Sequence, residues 1–195
     1  KLESNDINLK GSFEGLADLS EEVNKFDFKA IVNYADLKAL KLYNRDSISE
    51  LKGIIDLDLK GNQLDNIVGI ANFKNIEYRN EKDTYPFKQF LIFSTLNEGI
   101  RNIRVDSEDI VKGELIGDFK FGELVPLTQN ALGSIYSNYN PFKVEPHQFL
   151  KFDFVIYNQI IDVFFPKVSV APNTIIKGNI KADKNQLKLK ISSPQ

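Results

Sequence analysis

The sequence predicts a mostly β protein, an elongated antiparallel sheet joined by short turns and interrupted by one amphipathic helix. Three observations predict it. Apolar and polar residues alternate along most of the chain, which is the period of a half-buried strand. Short clusters of Gly, Asn, Asp and Pro separate the alternating runs, and a single stretch, about residues 123–139, switches to a spacing of three and four.

Taken in order, Phe26, Phe28 and Ala30 alternate with Asp27 and Lys29, and Leu51, Ile55, Leu57 and Leu59 with Lys52, Asp56, Asp58 and Lys60. Ile103 and Val105 flank Arg104, while Leu115, Phe119 and Phe121 stand opposite Glu114, Asp118 and Lys120. In the last third, Phe152, Phe154 and Ile156 lead to Ile161, Val163 and Phe165, then Val168 and Val170, then Leu187, Leu189 and Ile191. About a dozen strands are expected. Turns are expected at Lys60-Gly61-Asn62, Asn97-Glu98-Gly99, Asn158-Gln159, Pro172-Asn173 and Asp183-Lys184-Asn185, and turns this short join antiparallel neighbours. Between Glu123 and Tyr139, Leu124, Leu127, Ala131, Leu132, Ile135, Tyr136 and Tyr139 share one helical face. A weaker helical pattern runs from Asp36 to Tyr43. The pair Lys-Gly opens four alternating runs, at Lys10-Gly11, Lys52-Gly53, Lys112-Gly113 and Lys177-Gly178, a degenerate repetition that favours an elongated array. One segment of such an array is expected over 1–195, with possible sub-units 1–60 and 61–195.

Composition removes many functions. The 195 residues carry 25 basic and 27 acidic side chains, a net charge of −2, so no positive excess exists to hold nucleic acid by its phosphates. With no Cys, no Met and a single histidine, His147, Cys/His zinc sites, disulfides, thiol catalysis and Met-ligated haem are excluded. No run approaches the length of a membrane-crossing helix, so the segment itself is expected to be soluble. A chain that starts at Lys1 without methionine is expected to be an excised or processed piece.

Several polar groupings imitate sites. Asp56 and Asp58 share one strand face, but Lys52 and Lys60 beside them mark a solvated surface rather than a carboxylate pair for glycoside hydrolysis. Asp106, Glu108 and Asp109 lack the glycine and oxygen spacing of a calcium loop. His147 has no nucleophile signature near it, Gly11 and Gly15 lack dinucleotide-loop spacing, and Asp46-Ser47-Ile48 matches an O-glycosylation acceptor only at three residues. No catalytic residue, metal or cofactor is expected.

The residues alone leave two architectures open: a closed sandwich filled by its own side chains, serving as a binding or spacer domain, and an open trough. A resemblance favours the trough. The runs 51–61 (LKGIIDLDLKG), 64–69 (LDNIVG), 101–117 (RNIRVDSEDIVKGELIG) and 119–139 (FKFGELVPLTQNALGSIYSNY) resemble the TamB-like family, the translocation and assembly module proteins of the AsmA-like superfamily, in the Bacteroidota form. The resemblance extends from about Phe26 to Pro194 and rests on the order of loose motifs. It implies a β-taco, a long sheet curled into a trough with an apolar interior and a charged exterior. It also implies a periplasmic location, with the full-length protein anchored in the inner membrane and meeting a BamA-type outer-membrane barrel. Phospholipid acyl chains are the implied cargo, and a role in assembling outer-membrane proteins is the implied alternative. The expected groove lining is Phe26, Phe28, Ile55, Leu57, Leu59, Phe73, Ile103, Val105, Leu115, Phe119, Phe121, Phe152, Phe154, Ile156, Ile161, Val163, Phe165, Val168, Val170, Leu187 and Leu189.

Overall fold

A computed structural model describes residues 1–133, 138, 140–157 and 170–194. Eleven strands form one antiparallel sheet in strict sequence order: β1 (Leu2–Asp6), β2 (Leu9–Asp18), β3 (Lys25–Asp36), β4 (Ser49–Lys60), β5 (Val68–Asn80), β6 (Thr84–Asn97), β7 (Ile100–Asp106), β8 (Val111–Asp118), β9 (Phe149–Ile156), β10 (Thr174–Lys181) and β11 (Gln186–Ser192). β1 and β11 do not pair, so the sheet stays open and does not close into a barrel. The helix α1 (Leu124–Gly133) lies in the connection between β8 and β9, and Pro126 occupies its first turn, where a missing N–H costs nothing.

The turn chemistry explains the meander. Glu98 and Gly99 both adopt positive φ (50° and 81°) in the two-residue link between the paired Asn97 and Ile100, the geometry whose twist matches that of antiparallel strands. Asn185 is left-handed at the β10–β11 turn. Residues 36–43 form consecutive hydrogen-bonded turns rather than a helix: the Asp36 carboxylate accepts from the Lys38 and Ala39 amides, and Leu42 N–H reaches Leu37 O at 2.8 Å. Aspartate side chains that satisfy the amides just ahead of them in this way favour turns.

The sheet is amphipathic, and the curl has a visible cause. One face carries cross-strand ion pairs such as Lys52–Glu77 (2.8 Å) and Lys177–Asp153 (2.7 Å), which lie directly opposite in register. The other face carries the apolar series, and with it every glycine of the described strands: Gly11, Gly15, Gly53, Gly69, Gly113, Gly117 and Gly178. A Cβ at Gly69, Gly113 or Gly117 would collide with the carbonyl oxygen of Asp58, Asp153 or Phe149 on the adjacent strand. Such close approach on one face alone is what bending toward that face requires. Register shifts near Gly11, between Val32 and Ala35, and near Gly53 add local bends in β2–β5.

Three apolar clusters sit on the concave face. Phe119, Leu127, Ala131, Leu150 and Ile180 are buried together where α1 covers one margin of β7–β11. At the opposite margin, Ala30, Val32 and Ala35 are covered by Leu37 and Leu40 of the β3–β4 connection, and Ile110 packs against Tyr78, Tyr85, Phe87 and Phe90.

Candidate functional site

The register assembles the lining residue by residue. Pairing partners share a face, so the ladder can be followed from strand to strand. One row runs Gly15, Phe28, Leu57, Ala71, Ile92, Val105, Gly113, Phe154, Ile176, Ile191, from β2 to β11 without a polar side chain. The row beside it runs Ala17, Phe26, Leu59, Gly69, Ser94, Ile103, Leu115, Phe152, Gly178, Leu189. Ser94 is its one polar member, and its hydroxyl donates to Ile67 O at 3.1 Å. At one strand spacing per step, each row is about 43 Å long.

Ten residues of the expected lining, Phe26, Phe28, Leu57, Leu59, Ile103, Val105, Leu115, Phe152, Phe154 and Leu189, fall in these two rows. Ile55 and Phe73 are paired in the next row toward the β3–β4 turn, Ile156 pairs with Val111 and Thr174, and Leu187 pairs with Ile180. Phe119 and Phe121 belong to the β8–α1 connection instead of a strand, because β8 ends at Asp118; their rings stack edge to face at 5.6 Å in the cluster under α1. Val170 is buried outside any strand. Ile161, Val163, Phe165 and Val168 lie outside the described residues, as do residues 134–137 and 139 of the expected helix.

Most of the two rows is only half-buried: Phe26, Phe28, Leu57, Leu59, Ala71, Ile92, Val105 and Phe154 all keep part of their surface open. Among the described residues no second sheet covers them. A depression of about 430 Å³ beside Leu2, Phe13, Ala17, Phe26 and Phe28 marks the β1 end, and one of about 630 Å³ between α1 and β11 is walled by Ala131, Leu132, Leu187, Leu189 and Lys184.

Two polar arrangements hold the margins. Arg101 faces inward and is 2 % exposed; its guanidinium donates to Ile67 O (2.7 Å), Ser94 Oγ (3.0 Å) and Asp65 O, and stacks over Phe121 at 5.0 Å. Burial pulls its pKa below the ordinary guanidinium value. The Asp65 carboxylate in turn accepts from Phe121 N–H at 2.8 Å, so this one turn ties β4–β5 to the α1 connection. Across the trough, Tyr78 O–H donates to Asp46 Oδ2 at 2.7 Å, and its ring meets Tyr43 edge to face. Burial, with the Asp46 carboxylate nearby, pushes the Tyr78 phenol up to about 12, while the Arg45 and Tyr78 hydrogen bonds hold the Asp46 carboxyl below its usual range. The alternation alone places Arg101 inward, two residues before Ile103, although its charge suggests the opposite.

Asp56 and Asp58 point to the charged face, Asp56 within 3.8 Å of Lys74. Asp106 pairs with Lys112 at 3.3 Å and Asp109 accepts from Lys88 N–H at 3.0 Å. His147 is exposed, its Nδ1 3.0 Å from Asp183 Oδ2. Among the described residues no three His, Asp or Glu side chains converge as metal ligands, and no helix is long and apolar enough to cross a membrane.

The fold and its lining define a class: an open antiparallel meander, curled, with an apolar concave face and a charged convex one. Comparison with protein-family models, with curated proteins and with solved structures finds no match.

Proposed function

We propose that the chain is a segment of a periplasm-spanning protein of the TamB type, whose groove carries phospholipid between the inner and outer membranes. The full-length chain would be anchored in the inner membrane, meet a BamA-type barrel, serve outer-membrane biogenesis and catalyse no reaction. The observation that carries this reading is the pair of apolar rows running across ten strands with much of their surface left open. An acyl chain in water forgoes about 0.8 kcal/mol per exposed CH₂, on the order of 25 kcal/mol for two chains of about sixteen carbons. A continuous apolar floor removes most of that barrier while a headgroup stays in water at the open side, and such passage needs no catalytic group.

The test places a photo-crosslinking residue at Phe154, on the floor, and at Lys151, on the charged face. Labelling by phospholipid at 154 and not at 151 is expected, and Phe154→Arg should block lipid passage where Lys151→Glu does not. Equal labelling at both positions, or purified protein carrying no amphiphile by mass spectrometry after mild extraction, would overturn the reading.

A further inference from the structure

We propose that Gly113, Gly178 and Gly15 set the clearance of the groove: each seats a phenylalanine ring from the neighbouring strand against the floor, and a larger residue there would turn that ring up into the path of an acyl chain. Given the lipid-groove reading, on which this rests, three glycines become residues that decide whether a chain can pass.

Four phenylalanines stand in the two apolar rows, and three of them are paired with a glycine: Phe28 with Gly15, Phe154 with Gly113 and Phe152 with Gly178. The fourth, Phe26, stands between Ala17 and Leu59. A Cβ placed on Gly178 would lie 2.5 Å from Phe152 Cζ and 3.0 Å from its Cε2, so the far end of the ring occupies the space above that glycine. A Cβ on Gly113 would lie 2.6 Å from Phe154 Cδ1, and one on Gly15 would lie 3.0 Å from Phe28 Cδ2. All three rings lean across the strand gap onto bare backbone. Phe154 leans toward β8 and Phe152 toward β10, so β9 carries two rings laid down in opposite directions. The next row shows the alternative: Phe73 and Phe90 are paired with each other, and their rings meet edge to face at 6.3 Å.

A ring folded onto a glycine does two things. It covers backbone that would otherwise lie bare on an apolar floor, the usual service of an aromatic residue paired with a strand glycine. It also lowers the floor. A side chain on a strand ordinarily stands roughly perpendicular to the sheet and has few staggered orientations to choose from, so an upright phenylalanine would be among the tallest obstacles in either row. A methyl group at the glycine removes the seat, and the sheet beneath leaves the ring only the trough to turn into. Phe28, Phe152 and Phe154 stay half-buried, within reach of a chain in the groove.

The experiment titrates the protein with diphenylhexatriene, an apolar rod that fluoresces only out of water, and with a phosphatidylcholine carrying pyrene on one acyl chain. Gly178→Ala should weaken binding of both probes about tenfold with Phe152 intact and less than about twofold once Phe152→Leu is in place, because side chains in contact couple. The crowding of Lys188 O, 2.4 Å from the new methyl group, is common to both backgrounds, so the difference isolates the ring. Gly15→Ala, with and without Phe28→Leu, repeats the cycle where the nearest carbonyl oxygen, that of Asp27, lies 3.0 Å away and folding is least disturbed. In proton NMR the Phe152 ring current should displace the Gly178 Hα resonances, and Phe152→Leu should return them to ordinary glycine positions. Equal losses of binding in both backgrounds would show that the glycines act through the backbone alone and would overturn the proposal, as would Gly178 resonances that Phe152→Leu leaves unmoved. Coupled losses for diphenylhexatriene with no binding of the phospholipid would overturn the transport reading and leave the glycine seats standing. A parent protein that takes up neither probe would overturn both.

Discussion

The two halves of the trough solve the same problem differently. In β7–β11 the concave face is roofed at one margin by α1, and five side chains, Leu127 at 1 % exposure among them, are removed from water. In β2–β6 the turns of residues 36–43 reach over one margin through Leu37 and Leu40, Ile110 packs against Tyr78, Tyr85, Phe87 and Phe90, and the central residues Leu57, Leu59, Ala71 and Ile92 stay partly open. The difference separates the region where burial supplies stability from the region where the apolar floor stays open to solvent. A sheet this apolar needs one covered region to fold, and covering all of it would leave no groove.

The largest expected effect tests that division directly. Leu127→Ala removes a fully buried side chain and should cost about 2–5 kcal/mol in urea unfolding, whereas Leu57→Ala, at a half-open position of the same residue type, should cost about 1 kcal/mol. Equal losses would mean that the open half has a cover of its own. A smaller effect concerns the curl. Gly117→Ala places a methyl group against Phe149 O and should cost about 1–3 kcal/mol, with the loss centred on the β8–β9 ladder in hydrogen exchange. Gly99→Ala serves as the contrast for crowding, since nothing lies within 4 Å of a Cβ there and only the left-handed φ resists substitution.

These contrasts also show what the residues could announce in advance. Phe26 and Phe28 were legible because Asp27 and Lys29 fix the phase; the same logic reads β4, β7 and β9. It fails in β6, where Phe90, Leu91, Ile92 and Phe93 run without a polar residue, so Phe90 and Ile92 acquire their face only from pairing with Phe73 and Ala71. It fails again at Ile175-Ile176 for the same reason. The Lys-Gly repetition was visible, yet its meaning was not: all four glycines turn out to face inward, two of them at register shifts, and that needs the ladder to be seen. The helix was visible as a periodicity, but its seat on Leu150 and Ile180 depends on contacts across long sequence separation that no local pattern encodes.

The smallest expected effect belongs to the margin opposite α1, where Asp46 is buried against Tyr78 and Arg45. Its carboxyl is held below the ordinary value by the Arg45 and Tyr78 hydrogen bonds, so the folded state prefers the ionised form. Stability from this group is therefore fully present above the unfolded value of about 3.9 and is lost as pH falls through the lowered folded value. Asp46→Asn keeps an acceptor for the tyrosine while removing the charge. Its unfolding midpoint should lie below that of the parent protein at neutral pH, and the gap should close in acid. The Tyr78 phenol works at the other extreme: raised to about 12, it favours the neutral form, and its contribution fades as pH climbs from about 10 through that value. Both titrations should loosen hydrogen-exchange protection around β4–β6 first while leaving the amides under α1 protected, because neither group touches the helix-covered cluster. A gap between parent and Asp46→Asn that persists undiminished in acid would show that the residue acts through packing rather than charge. The margin would then be held by shape alone.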